Sequence, residues 1–411
     1  VAEQQPIIIS GAGPVGLTLA EILTQQGIPV VVLEKSTQPS KEWRASTFHA
    51  GTLELLESTG LAKELLKLGI VADKVQYRDR TTGLYAEFDF GLLKEETKYP
   101  FRLQLPQSTY VKLLNERLQK SELAELRYGT EVTGMQQDEE GVTVTVQTAE
   151  GIKTLRTPYL LGADGARSTI RKLMGMPFEG YTLEERFLLV GTPVPFSNYL
   201  PDISYVNYIS DPQEFLFILK VPEAWRLLYP IPPSVSDEEA LSDQRIQGSL
   251  QRALQTTDQF PIVERMIYRV HQRVADQFYQ GRAVLLGDAA HINSPMGGLG
   301  LNSGIHDAVD LGRRMVRIIQ GQTDPEAELA MYSQVRRKVA IEYVKQITEK
   351  NTSVLTEKDP EKRVKMQQEY AEMANDPVRA RSWLLRSGMI ASVREQGIGN
   401  RPDTVATDSK Q

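Results

Sequence analysis

The 411-residue chain is long enough for two domains or one large α/β body, and its 41% hydrophobic residues are ordinary for a globular protein. A formal charge of -6 argues against a nucleic-acid partner, whose phosphates reward a concentrated basic surface. With no cysteine, disulfides, thiolate metal sites and redox dithiols are excluded, and His49, His271, His291 and His306 follow no metal-ligand spacing, so no metal is expected.

Residues 6–35 read PIIISGAGPVGLTLAEILTQQGIPVVVLEK. Residues 7–10 form a buried parallel strand, 14–26 a helix with Val15, Leu19, Ile22 and Leu23 on its apolar face, and 28–33 a second strand. At the first turn Gly11, Gly13 and Gly16 spell GxGxxG. The first glycine permits the tight turn, the second lets backbone approach a pyrophosphate, and the third lets helix and strand pack closely. Pro14 and Val15 enter the helix, whose free N–H groups face phosphate oxygens. Glu34, beside Lys35, ends the second strand, where it would accept hydrogen bonds from ribose hydroxyls and disfavour a 2'-phosphate. Strand, helix and terminal acid together indicate a dinucleotide site, without separating NAD from FAD.

The segment 43–58 starts as loop, with Arg44 a candidate to face pyrophosphate or flavin, and becomes helical at GTLELLES. Alternation around a TTG turn makes 75–90 a β-hairpin. Residues 105–119, LPQSTYVKLLNERLQ, form a helix entered through a Pro and Ser cap, with Gln107 at its mouth. A further hairpin, GVTVTVQTAEGIKTLRTPYLLGAD, ends in a buried strand at 159–161 that rejoins the parallel sheet. From 186 to 231 short alternating segments broken by Pro, Asn and Asp indicate an antiparallel sheet, followed at 236–239 by the capping box SDEE. Residues 282–315 return to strand, turn and helix, the helix running from about 301 to 318; charged helices and a polar tail follow.

Two later segments carry a resemblance. YLLGADGARSTIR (159–171) and GDAAHINSPMGGLGLNSGIHDA (287–308) resemble the DG and GD motifs of the single-component aromatic hydroxylases, the flavoprotein monooxygenases of the p-hydroxybenzoate hydroxylase type. The first has Asp164, Gly165 and Arg167 in place; the second has Asp288, His291, Pro295, the GGxG run and Asn302. With the N-terminal fingerprint, the motifs span residues 7–310 in the family's order. The residues agree with it physically. Asp288, leaving a strand, is placed to accept from a ribityl hydroxyl, a group NAD lacks. Gly297, Gly298, Gly300 and Leu301 open a helix whose N–H groups and positive dipole end suit the pyrimidine side of an isoalloxazine.

The resemblance implies non-covalent FAD contacted by Arg44 and Gln107, Asp164 and Arg167 serving FAD and a passing nicotinamide, and Pro295 against the substrate edge of the flavin. Gly298, Gly300, Leu301 and Asn302 join the cofactor set. With one dinucleotide unit, NADH or NADPH would dock transiently as co-substrate. The implied reaction is hydroxylation of a phenolic or heteroaromatic ring by dioxygen through a C4a-hydroperoxyflavin. No catalytic side chain is identified, Pro295 being a positioning candidate; His49 and His291 read as loop or capping residues rather than flavin attachment points. The disulfide-reductase branch is excluded by the lack of cysteine, WRLLYPIPP, read as a strand followed by a loop, only loosely echoes the halogenase tryptophan motif, and no thioredoxin-like third domain is expected. Alternatives are an FAD-dependent reductase of a polyprenyl or other alkene, which would work without dioxygen, and a non-catalytic flavin- or ligand-binding protein, whose flavin NAD(P)H would not reduce.

The expected fold class is α/β. A discontinuous Rossmann-like FAD-binding domain with a parallel sheet takes 1–74, 100–178 and 268–335, and a substrate domain with an antiparallel sheet takes 75–99 and 179–267. A C-terminal helical segment, 336–398, precedes a disordered tail, 399–411. Expected partners are a small aromatic substrate and dioxygen, and a homodimer is compatible with the sequence. No leader pattern or membrane span of roughly 20 apolar residues is read, so a cytoplasmic location is expected.

Overall fold

The structure is a computed structural model and describes residues 5–212 and 214–398, apart from the side chains of 183–185 and 268. A six-stranded sheet runs in the order Tyr279–Gln280, Ala283–Leu285, Leu160–Gly162, Ile7–Ser10, Val30–Glu34, Ala124–Tyr128. All neighbours pair parallel except the edge strand Tyr279–Gln280. Ile7, Ile8 and Ile9 and then Val30 to Leu33 are buried without alternation, as a sheet covered on both faces requires. The second strand starts two residues later than its apolar run, because Ile28 bonds back to Leu23 at the helix end. Glu34 is therefore the strand's last residue.

Over this sheet the N-terminal helix Pro14–Gln25 packs against the long helix Leu299–Ile319. Contact is close because glycines face it: a Cβ at Gly304 would lie 2.6 Å from Val15 Cγ2, and one at Gly312 2.8 Å from Ile22 Cγ2. The helix Gln107–Leu118 covers its other flank, with Tyr110 and Thr18 hydroxyls 2.7 Å apart. Its N-cap is Pro106, with no side-chain capping bond, so the expected serine cap is not made.

The second layer is an eight-stranded sheet ordered His291–Ile292, Glu264–Ala275, Phe178–Thr192, Trp225–Ile231, Leu216–Lys220, Val206–Ser210, Lys74–Asp79, Gly83–Asp89. It is antiparallel apart from the pair Val206–Ser210 and Lys74–Asp79. Alternation sorts its residues: Leu189, Leu228, Phe217 and Tyr208 join the main core, while Leu188, Leu227, Ile218 and Ile209 form a second core with the helix Asp243–Leu254. The strand Glu264–Ala275 crosses the expected boundary at 267/268, so one element serves both layers. Ser236 accepts from the Glu239 N–H as the SDEE box requires, but its helix is the short Asp237–Ala240, since Ser242 caps a new one.

Three later helices start at an Asp-Pro pair. Asp324, Asp359 and Asp376 each cap backbone N–H groups, with proline as the first helical residue. The second and third of these, Pro360–Asn375 and Pro377–Ser387, close over the hairpin edge of the large sheet, where Trp383 stacks on Phe88 at 4.0 Å. Among the described residues no helix is long and apolar enough to cross a membrane. The expected disordered tail, 399–411, lies outside the described residues.

Candidate active site

At the first turn Gly11 has φ +108°, and a Cβ there would sit 2.3 Å from Ala163 O; one at Gly16 would sit 2.1 Å from Gly11 O. Both positions are fixed by internal crowding. Gly13 differs, since a Cβ on it meets nothing within 4 Å. The helix mouth is thus open, with the N–H groups of Val15 and Gly16 lacking intrahelical acceptors. Glu34 braces the loop beneath, its carboxylate accepting from the N–H groups of Ala12 and Ser36, both at 2.9 Å. Two lone-pair sites remain for hydroxyls. Lys35 is exposed. The side chain of Val15, a residue expected at the cofactor, fills the gap at Gly287 and Gly304, where Cβ atoms would come within 3.2 and 2.6 Å of it, while its N–H stands at the open helix mouth.

Through Val15 the first motif touches the third. Asp288 projects from the tight turn Gly287–Ala289, exposed although Gly287 and Ala289 are buried. The surrounding protein pushes its carboxyl above the usual range, while His291 and then Arg44 pull it back. Solvent at this exposed position tempers the upward push. Arg44 is largely exposed and pairs with Glu42 at 2.5 Å, close enough for its charge to reach Asp288. Gln107 is half-buried at the start of its helix, its N–H donating to Ala45 O at 2.8 Å.

In the DG segment Asp164 is already engaged. It accepts from the Ser168 hydroxyl at 2.5 Å and from the N–H groups of Thr169 and Ile170 at 2.7 and 3.2 Å, capping the helix Thr169–Leu173. Arg167 is exposed beside His271, whose pKa burial lowers first and then Arg273, Arg269 and Arg167. Arg171, which sequence reasoning passed over, donates to Ala289 O at 2.8 Å and Ala166 O at 2.9 Å, with its guanidinium 3.7 Å from the Phe178 ring centroid. It ties the DG segment to the turn that carries Asp288.

The turn Pro295–Gly298 closes by a 2.9 Å bond from Gly298 N–H to Pro295 O, with φ of +116° at Gly297 and +66° at Gly298. Other residues would be strained there. The long helix begins at Leu299, earlier than expected, so the N–H groups of Leu299, Gly300 and Leu301 form its first turn. The side chain of Asn302, expected among the cofactor residues, forms a clasp: its Oδ1 accepts from His49 N–H and Thr52 Oγ1 at 2.9 and 2.7 Å, and its Nδ2 donates to Thr47 O and Gly298 O at 2.8 and 2.6 Å.

Both buried histidines beside this clasp are neutral. His49 Nε2 donates to Gly297 O at 2.8 Å, and burial, followed by the Arg102 charge, holds its pKa well below the usual value. His306 Nε2 bonds Thr52 Oγ1 at 2.9 Å, and burial takes its pKa down to about 3. His291 is neither a loop nor a capping residue. It bonds Asp307 at 2.6 Å, and the same carboxylate accepts from Gly287 N–H at 2.9 Å and Arg336 Nε at 2.5 Å. His291 and Arg336 overcome burial and bring the Asp307 pKa down to about 2. Asp307 had a faint sequence signal, an acid on the glycine-bearing face of an apolar helix; Arg336, inside a basic run, had none.

An open glycine turn, an accessible acid on a turn with buried flanks and a glycine-capped helix joined through Val15 fit FAD. Residues 4–347 match the family described as FAD binding domain. The chain is 34% identical over 384 residues to para-nitrophenol 4-monooxygenase of Pseudomonas sp. (strain WBC-3), covering 92% of this chain and 94% of that protein. It is 29% identical over 342 residues to 6-hydroxy-3-succinoylpyridine 3-monooxygenase of Pseudomonas putida (strain DSM 28022 / S16), covering 83% and 86%. The crystal structure of p-nitrophenol 4-monooxygenase PnpA from Pseudomonas putida DLL-E4 aligns with a TM-score of 0.89 at 32% identity, covering 97% of this chain and 99% of that one. These likenesses favour oxygen insertion over alkene reduction or idle flavin binding. The chain belongs to the FAD binding domain family and is an FAD-dependent aromatic monooxygenase that uses NAD(P)H.

Proposed function

We propose that the enzyme hydroxylates a small phenol, a hydroxylated heteroaromatic ring being the nearest variant. The observation that carries the cofactor part is Asp288, accessible on a turn whose flanking residues are buried and which is joined through Val15 to the first glycine turn and to the helix Leu299–Ile319. The monooxygenases of para-nitrophenol and of a hydroxypyridine among its relatives support the substrate class.

Bound FAD supplies hydride acceptance from NAD(P)H and the activation of dioxygen for transfer to the ring. The chain's own residues bind and orient. Backbone around Gly11, Gly13 and Gly16 holds the pyrophosphate, with Arg44 and Gln107 at the rim, and Glu34 accepts from ribose. Asp288 accepts from a ribityl hydroxyl. N–H groups at Gly298, Gly300 and Leu301 face the ring edge, where a helix N-terminus favours negative charge. Asp164 holds the DG helix so that Arg167 meets the transient nicotinamide. Pro295 shapes the turn at the substrate edge, and the aromatic inner face of the large sheet excludes water.

The six-stranded layer with its helices is the cofactor-binding part, and the eight-stranded layer is the substrate part. A requirement for NADH or NADPH supports a cytoplasmic location. The deciding experiment loads the protein with FAD and follows NAD(P)H oxidation across a panel of phenols. A phenol should accelerate it and acquire oxygen from labelled dioxygen. Label entering from water instead would end the hydroxylase reading.

A further inference from the structure

Arg102 is 2% exposed and lies on the short strand Arg102–Gln104, in a sheet with Thr47–Phe48 and Ile70–Ala72. Among the described residues its side chain makes one direct hydrogen bond, from Nη1 to the Tyr208 hydroxyl at 3.3 Å, and Nε finds no acceptor. Other arginines buried to this degree in the molecule meet carboxylates, as Arg336 meets Asp307. The titratable groups that share Arg102's surroundings are His49, Tyr77 and Tyr208, and no carboxylate pairs with it among the described residues. A buried cation without a counter-charge is costly, and a fold that keeps one leaves its anion to be supplied from outside.

The surroundings describe that anion. Phe90 lies beneath the guanidinium, its ring centroid 5.8 Å away. Tyr208 faces it from the large sheet, stacked on Tyr77 at 5.0 Å and beside Phe217 at 4.8 Å. The Tyr77 hydroxyl is also buried without a partner. Arg102 acts on His49, whose ring bonds Gly297 O, so this corner adjoins the turn proposed to edge the flavin. We infer that Arg102 is the counter-cation for the ionised oxygen of a phenolic substrate, whose ring lies among the aromatic side chains of the facing sheet. This rests on the phenol reading above. Binding releases the phenol proton to solvent, and the anion feeds electron density into the ring that receives oxygen. Tyr208 orients the guanidinium.

The test uses FAD-loaded enzyme and 4-nitrophenol, whose anion absorbs apart from its neutral form. Bound to the wild type, the probe should ionise about one to three pH units lower than in Arg102→Gln, and Arg102→Lys should keep most of that effect. The O-methyl ether, which has no proton to lose, should bind both forms alike. KM for phenols should rise in Arg102→Gln mainly within and above the phenol's own ionisation range, and converge with the wild type at acid pH, where the bound phenol keeps its proton. An Arg102→Gln protein with native circular dichroism and an unchanged ionisation overturns the assignment. So does a wild-type enzyme that binds the probe no more acidic than in water, or not at all; this arm stands even where the variant fails to fold. A lowered ionisation together with no label from dioxygen would keep Arg102 as an anion-binding residue and defeat the hydroxylase reading instead.

Discussion

Asp288 and Asn302 belong to one motif and do opposite work. Asp288 is accessible, so its removal leaves no buried group without a partner; Asn302 is fully buried and spends four hydrogen bonds within the protein. Asp288→Ala should weaken FAD binding by about 1.5–3 kcal/mol, the loss of one charge-assisted hydrogen bond, or roughly tenfold to hundredfold in Kd. Its urea midpoint without FAD should equal that of the wild type. A flavin fluorescence titration giving an unchanged Kd would remove Asp288 from the ribityl role. Asn302→Ala should behave in reverse: it orphans Thr47 O and Gly298 O, each worth about 1–3 kcal/mol, and should lower the midpoint even in the absence of FAD. Equal midpoints for Asn302→Ala and wild type would show that the clasp is dispensable.

At the scale of elements, the site depends on two helices crossing at glycine. Val15 occupies the space a side chain at Gly304 would need, and the same valine touches Gly287 at the Asp288 turn. Gly304→Val should therefore cost about 1–3 kcal/mol through overpacking, read as a lower urea midpoint, and should loosen FAD because the turn moves with Val15. Replacement at Gly27, where a Cβ meets open space but φ is +78°, should destabilise without touching FAD affinity. If both variants lose FAD equally, the coupling through Val15 is wrong. These helices also mark what the sequence makes legible. The strand, turn and helix periods around Gly11 to Glu34 are local, and so were read to within two residues; the GD glycines announced a helix start. The partners of that start were not readable. Asn302 bonds residues about 250 positions away, and Asp307 waits for Arg336, whose sequence neighbours are other basic residues. Asp164, a cofactor residue by motif likeness, also makes bonds to Ser168 and Thr169, two residues the same segment contains.

Across the whole molecule, buried polar groups that remain uncharged cluster where the helix Ala50–Leu56 meets the start of Leu299–Ile319, and this sets how the fold answers acid. His306 is buried with a pKa down to about 3, set by burial first and then by Arg336 against the opposing pull of Asp307. In the unfolded chain it titrates near the ordinary 6.5. Between those values the unfolded state holds a proton that the folded state refuses, so stability falls as pH drops below about 6.5, by roughly 1.4 kcal/mol per pH unit for one histidine. His49 shifts in the same direction and steepens the slope. Asp307 acts in a lower window: its folded pKa of about 2 lies below the unfolded value, so its contribution is complete above about 4 and is lost only toward pH 2. Glu54 and Glu264, whose pKa values burial raises, oppose the histidines as their carboxyls protonate, which makes differences between variants more informative than the wild-type curve alone. His306→Gln retains an N–H for Thr52 Oγ1 and removes the titration. Its urea-derived stability between pH 7 and pH 5 should therefore decline less steeply than the wild type's, by about one proton in the slope. Parallel declines in the two proteins would mean that His306 takes up its proton while folded, and the neutral cluster beside the Asn302 clasp would then have to be redrawn as a charged one.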